Sequence, residues 1–165
     1  MSKRMKIKGR LRRLQGEMAQ STSGQEWTFI DSQFLYVPVK LCRQLQKRAQ
    51  SVGRDPALIF TFKTGYPFRP PMIYYYSTPV RNIYHSEELF AEDMTLISGT
   101  ECLCCHSILC DNNWIWKYTI DDVIGEFKRI TTLKVRVVER LFCKKVQEQL
   151  IPQLLIAHVA IFHYL

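Results

Sequence analysis

The chain has no apolar run of the roughly 20 residues that a membrane-spanning helix needs. The longest candidate, "QLLIAHVAIFHYL" at the carboxyl end, is shorter than that and is interrupted by His158 and His163. A helix packed on the core is the expectation for it, with interfacial attachment as the alternative. The amino end carries no apolar stretch of the kind that forms a secretory signal, so the reducing cytosol or nucleus is the expected compartment. That expectation argues against a disulfide framework. Acidic residues are missing altogether ahead of Glu17, and no internal repeat or low-complexity tract is present. A proline is missing from the first 21 residues, and no second cysteine pair follows the one cysteine cluster, His158 and His163 lying in an apolar stretch.

What is present is enough for one globular domain: 165 residues, 47% hydrophobic and 12% aromatic. With 23 Lys and Arg against 15 Asp and Glu, the formal net charge is +8. Lys3, Arg4, Lys6, Lys8, Arg10, Arg12 and Arg13 concentrate that surplus at the amino end, which is expected to face an acidic partner. Ile7, Leu11, Leu14 and Met18 recur there at helical spacing and predict a first helix with one apolar stripe and a broad basic flank. "STSG" ends it, and "WTFIDSQFLYVPVKL" reads as extended, with Pro38 drawing its segment toward a sheet edge. "CRQLQKRAQ" is open between helix and loop. "ALIFTFK" and "PPMIYYYS" read as strands bounded by turn residues.

The second half is helical. "TIDDVIGEFKRI" places Ile120, Val123, Ile124 and Phe127 on one face behind Thr119 as amino cap. A further helix is expected over 134–149, and another after Pro152. A helix, consecutive strands and then helices predict an α+β domain with an antiparallel sheet and helices to one side.

The stretch "CLCCHSILCDNNW", residues 102–114, holds four of the six cysteines and one of the four histidines. Cys102, Cys104, Cys105, His106 and Cys110 would suffice for a tetrahedral zinc site, but structural zinc sites pair two separated knuckles and Cys143 stands alone downstream. Buried thiols filling small core spaces are a second reading, which leaves the polar residues around them without a role. A nucleophilic thiol is the third.

The third reading gains support from "TFKTGYPFRPPMIYYY", residues 61–76, in which Tyr66, Pro67, Phe68, Arg69, Pro70 and Pro71 match the Tyr-Pro-Phe-x-Pro-Pro motif of the ubiquitin-conjugating (E2) enzymes. That family follows the motif with a strand and then a cysteine, two residues, Ile-Leu, a spacer, a Trp and a helix. Here Cys105, His106, Ser107, Ile108, Leu109, Trp114 and "TIDDVIGEF" fall in that order, with the spacer about one residue longer. The chain resembles that family over about residues 3–141, most strongly over 58–130, and the resemblance implies a single domain of ubiquitin-conjugating fold across residues 1–165. It implies that Cys105 accepts ubiquitin or a ubiquitin-like protein as a thioester and passes it to an amine, without metal or organic cofactor. Cys104 is the runner-up, since a one-residue slip exchanges the two; Cys102 is third, and Cys110 looks like a neighbour. Implied partners are the modifier, its activating enzyme (E1) meeting the basic first helix, and a ligase (E3).

Departures are visible too. The family's His-Pro-Asn upstream of the cysteine is absent; "VRNIYH" occupies its place, so that Asn82 would supply the oxyanion-supporting amide and Tyr84 or His85 the packing. The family's Trp-Ser-Pro is Trp114-Ile115-Trp116, and the acidic "SEELFAED" looks like a lengthened loop. These changes fit a divergent enzyme of the sort large DNA viruses encode, or a variant that keeps the fold, binds ubiquitin-like proteins and does no catalysis. A zinc-stabilised nucleic-acid binder is the remaining alternative. The basic run lacks interleaved aromatics to stack on bases, so no direct nucleic-acid partner is expected, nor a membrane one.

Overall fold

The computed structural model describes residues 3–22, 24–31, 33–51, 53, 55–63, 65–84, 91–99, 103 and 105–163; within that set, the side chains of residues 3–7, 25, 44, 48, 83, 84, 91, 93, 94 and 151–163 are not described. The first helix, α1, spans Lys3–Gln20. A single 3₁₀ turn, Gly24–Glu26, leads into β1 (Thr28–Phe29) and β2 (Phe34–Pro38). The unsettled stretch after them is helical, α2 (Arg43–Ser51). Then come β3 (Ala57–Thr61), β4 (Met72–Tyr75) and β5 (Thr78–Pro79). The five strands pair in sequence order, each antiparallel to the next.

Strand alternation decides which face is wet. Leu35 and Val37 of β2, Leu58 and Phe60 of β3 and Ile73 of β4 are all buried. The register sets Leu35 opposite Phe60, Phe60 opposite Ile73 and Val37 opposite Leu58, so one face carries a continuous apolar surface. Leu14 of α1 joins the same core, as do Ile120, Val123, Phe127 and Ile130 of α5 (Ile120–His163). The α+β class with an antiparallel sheet is therefore as expected. At Pro38 the expectation of an edge strand is corrected: β2 lies inside the sheet. The amide of Val39 donates to Pro56 O at 2.9 Å, on the β3 side. Strand amides alternate in direction, so the nitrogen of Pro38 points the other way, where β1, paired only with Leu35 and Tyr36, does not reach.

Two further expectations change. "VRNIYH", to which no element was assigned, begins a short helix, α3 (Val80–Tyr84). "SEELFAED" runs into a helix from Ala91 onward, α4 (Ala91–Ser98), while its first five residues lie outside the described ones. Gly99 closes α4 at φ +74°, its amide returning to Thr95 O at 2.8 Å, a conformation that a residue with a Cβ resists. The three helices expected after Thr119 are one, α5, 44 residues long. Its amino end is capped as expected: Asp122 N donates to Thr119 Oγ1 at 3.3 Å and Thr119 N to Asp122 Oδ2 at 2.8 Å. Thr131 and Thr132 lie inside it and donate their hydroxyls to Phe127 O and Lys128 O, both at 2.8 Å. The backbone then stays helical through Pro152. Among the described side chains Leu141 is the last of α5 packed on the core, and Phe142, Cys143, Lys144 and Lys145 beyond it are exposed; the side chains of 153–165, for which core packing was expected, lie outside the described ones. Among the described residues no helix is long and apolar enough to cross a membrane.

Candidate active site

The proline segment begins as a tight turn: Tyr66 N donates to Lys63 O at 3.2 Å and Arg69 N to Gly65 O at 3.0 Å. Tyr66 points inward, its ring edge-on to Phe62 at 4.8 Å and 6.4 Å from Trp114. The Nε1–H of Trp114 donates to Pro67 O at 2.8 Å. Proline rings fix φ and keep this carbonyl where the indole can reach it. The two sequence segments that carried the resemblance, separated by some forty residues in the chain, are thereby joined side by side.

The cysteine stretch is a run of turns. Cys110 N donates to Ser107 O at 3.1 Å, and Asn113 N and Trp114 N both donate to Cys110 O at 3.0 Å. Ser107 is buried, its hydroxyl accepting from Leu109 N at 3.1 Å. Leu103, Leu109 and Trp114 are the apolar feet of the loop in the core. Between them Cys105 and His106 are exposed, and Cys110 is half-buried. The geometry therefore leaves the Cys105 thiol accessible while its backbone is held. The holder is Asn113, whose Nδ2 donates to Cys105 O at 2.7 Å and to Ser107 O at 3.1 Å. The sequence reading missed it; the signal was the Asn pair before Trp114, a residue type that pins turns by bonding nearby backbone groups.

Cys104 and Cys102 lie outside the described residues, as does His85, and the side chain of Tyr84 is not described. Asn82 is exposed on α3. It is a helical residue. Its neighbour Arg81 bridges to Asp111 at 3.2 Å, which links α3 to the cysteine loop. Among the described residues no group of three or more His, Cys, Asp or Glu could hold a metal ion.

Beside the thiol loop lies an open cleft of about 540 Å³. The turn from Lys63 to Arg69 forms one wall, β4 the floor, and Pro79, Val80, Arg81, Leu109 and Asp111 the other wall. Neither Cys105 nor Asn82 lines it.

The basic helix proves to be partly internal. Arg10 is buried and donates to Phe62 O at 2.8 Å; burial holds its pKa below the usual arginine value, partly countered by Asp31. Arg13 pairs with Glu17 at 2.8 Å, donates to Tyr118 O at 2.9 Å and lies 5.5 Å from the centre of the Tyr66 ring. Glu17 in turn accepts from Ile120 N at 3.0 Å, a carboxylate at the positive end of α5. Lys8 and Arg12 remain on the exposed side.

No protein-family model matches the chain, and no curated protein or solved structure matches it either.

Proposed function

We propose that this chain is a divergent ubiquitin-conjugating enzyme in which Cys105 accepts ubiquitin or a ubiquitin-like protein. The observation that carries the reading is the hydrogen bond from Trp114 to Pro67: the proline motif and the Cys-to-Trp segment form one unit, with Cys105 exposed on it. In the reaction the Cys105 thiolate attacks the carbonyl carbon of the modifier's thioester on the activating enzyme. A new C–S bond forms, the old one breaks, and the activating enzyme's thiolate leaves. An acceptor amine then attacks the same carbon, the amide forms, and Cys105 departs as thiolate. Sulfur suits both steps, because its thiolate is strongly nucleophilic and its ester stays reactive toward amines. Among the described side chains Lys8 and Arg12 are the exposed cations of α1 that would steer an acidic activating enzyme, while those of Lys3, Arg4 and Lys6 lie outside the described ones.

A second reading, the same fold binding ubiquitin-like proteins without being charged, is favoured by the exposed helical position of Asn82, where an oxyanion donor was expected. One experiment separates the two. The protein is incubated with activating enzyme, ATP and ubiquitin, and the expected product is an adduct that thiol reductant removes. Cys105→Ser should convert it to a reductant-stable oxyester or abolish it. No adduct with any ubiquitin-like protein tried would sink the enzyme reading, and an adduct that survives Cys105→Ser unchanged would move the acceptor to Cys104 or Cys102. Loss of an oxyanion donor slows the chemistry by about 10²–10³, so Asn82→Ala should slow discharge to lysine by that factor while leaving charging intact.

A further inference from the structure

From the cleft between the proline turn and α3, we infer a binding site for an acidic peptide segment carrying a bulky apolar side chain. This inference does not depend on Cys105 being charged. The floor and inner walls are apolar, with Ile73, Val80 and Leu109 at or below 6% exposure and Pro71 also buried. The mouth is cationic. Lys63 and Arg69 are exposed, and among the described residues neither side chain has an ion pair or hydrogen bond. Arg81 adds a third cation, which shares Asp111.

Arg69 is placed rather than loose. A Cβ on Gly65 would stand 3.1 Å from Arg69 Cδ, so the glycine lets the aliphatic stem lie across the turn. The cleft has the size of a ligand site, and its apolar floor under a rim of convergent charges is the usual pattern of one. Carboxylates at the two unpaired cations and an apolar group over Ile73, Val80 and Leu109 satisfy both parts at once. The bordering strand β5 is two residues long and contains Pro79, which has no N–H, so the segment is held by side chains and not by adding a strand. Nucleic acid fits less well. Among the described residues Tyr66 is the one aromatic in the lining, and it is buried against Phe62 and Trp114, leaving no face for a base.

The test is fluorescence anisotropy on the full chain with a labelled peptide of alternating glutamate and leucine. Its comparators are the lysine-leucine peptide, inorganic phosphate and oligo(dT). The glutamate peptide should bind and the lysine peptide should not. Lys63→Glu combined with Arg69→Glu should weaken binding about tenfold or more, as expected when two charges facing carboxylates are reversed. Lys8→Glu with Arg12→Glu on α1 should leave it unchanged, and Arg69→Lys should retain it. No binding of the glutamate peptide overturns the inference, as does equal binding of the lysine peptide. So does an affinity that the Lys63 and Arg69 reversals do not alter. Displacement of the peptide by phosphate or oligo(dT) would show an anion or nucleic-acid site in its place.

Discussion

Two groups of cations meet at the turn that opens the proline segment, and they are used in opposite ways. From inside, Arg10 spends its guanidinium on the carbonyl of Phe62, with the carbonyl of Lys63 at 3.5 Å. From outside, the side chains of Lys63 and Arg69 project over a cleft. The first group fastens α1 to the sheet and costs desolvation, which the lowered pKa of Arg10 records. The second stays exposed to solvent. A net charge of +8 therefore overstates the surface open to partners, because the cations that a sequence groups together by position divide by burial once the chain folds.

The largest expected effect sharpens that division. Arg10→Ala removes a charge-assisted bond to a buried carbonyl together with the packing of its stem, and should cost about 2–3 kcal/mol in urea unfolding. Lys63→Ala and Arg69→Ala should each stay within about 0.5 kcal/mol, the usual range for exposed positions. Equal losses in all three variants would break the comparison, since the outer cations would then be structural as well.

Next in size comes Asn113→Ala. It removes two bonds to the backbone of the cysteine loop, one of them exposed, so the stability loss should be near 1 kcal/mol. The local effect should exceed the global one: amide exchange across 105–113 should rise and alkylation of Cys105 by iodoacetamide should change rate. Exchange that is unaltered in that loop would show that its apolar feet alone, Leu103, Leu109 and Trp114, hold it.

What the sequence made legible follows the same line between local and non-local causes. The strands at "ALIFTFK" and "PPMIYYYS" could be read because apolar, β-branched and aromatic residues sit between turn formers, and the cap at Thr119 because its partner Asp122 is three residues away. The unity of α5 could not. Thr131 and Thr132 stand between the helical stretches expected at 119–130 and 134–149, and their hydroxyls bond the preceding turn without ending the helix. α3 escaped notice because five residues leave too little periodicity to see. At the site, Cys105 was implied by the resemblance through its order with Ile108 and Leu109 and is exposed, whereas Asn82 was placed by counting from Pro71 and stands on a helix. Asn113 went unread because the Asn pair before Trp114 signals a turn without saying which backbone carbonyls it holds.

The effect that is smallest at neutral pH concerns Tyr66, which sits between the two groups of cations, with Arg13 beside its ring and the cleft on the other side. Burial pushes its phenol well above the ordinary value, Glu17 adds to the rise, and Arg13 opposes it. An unfolded tyrosine ionises near pH 10, whereas the folded one stays neutral there. A pKa raised by folding contributes stability that is complete below the unfolded value and is lost as the pH climbs toward the folded one, so the loss begins at about pH 10 and grows by about 1.4 kcal/mol per unit above it. Tyr66→Phe cannot ionise. Its melting temperature should therefore fall less steeply than that of the wild type between about pH 9 and pH 11. Tyr75, whose phenol burial also raises, is retained in both proteins, so the difference between the two curves belongs to Tyr66. Parallel curves would mean that the Tyr66 hydroxyl reaches water and that the joint between the proline turn and Trp114 is more open than its 2.8 Å hydrogen bond indicates.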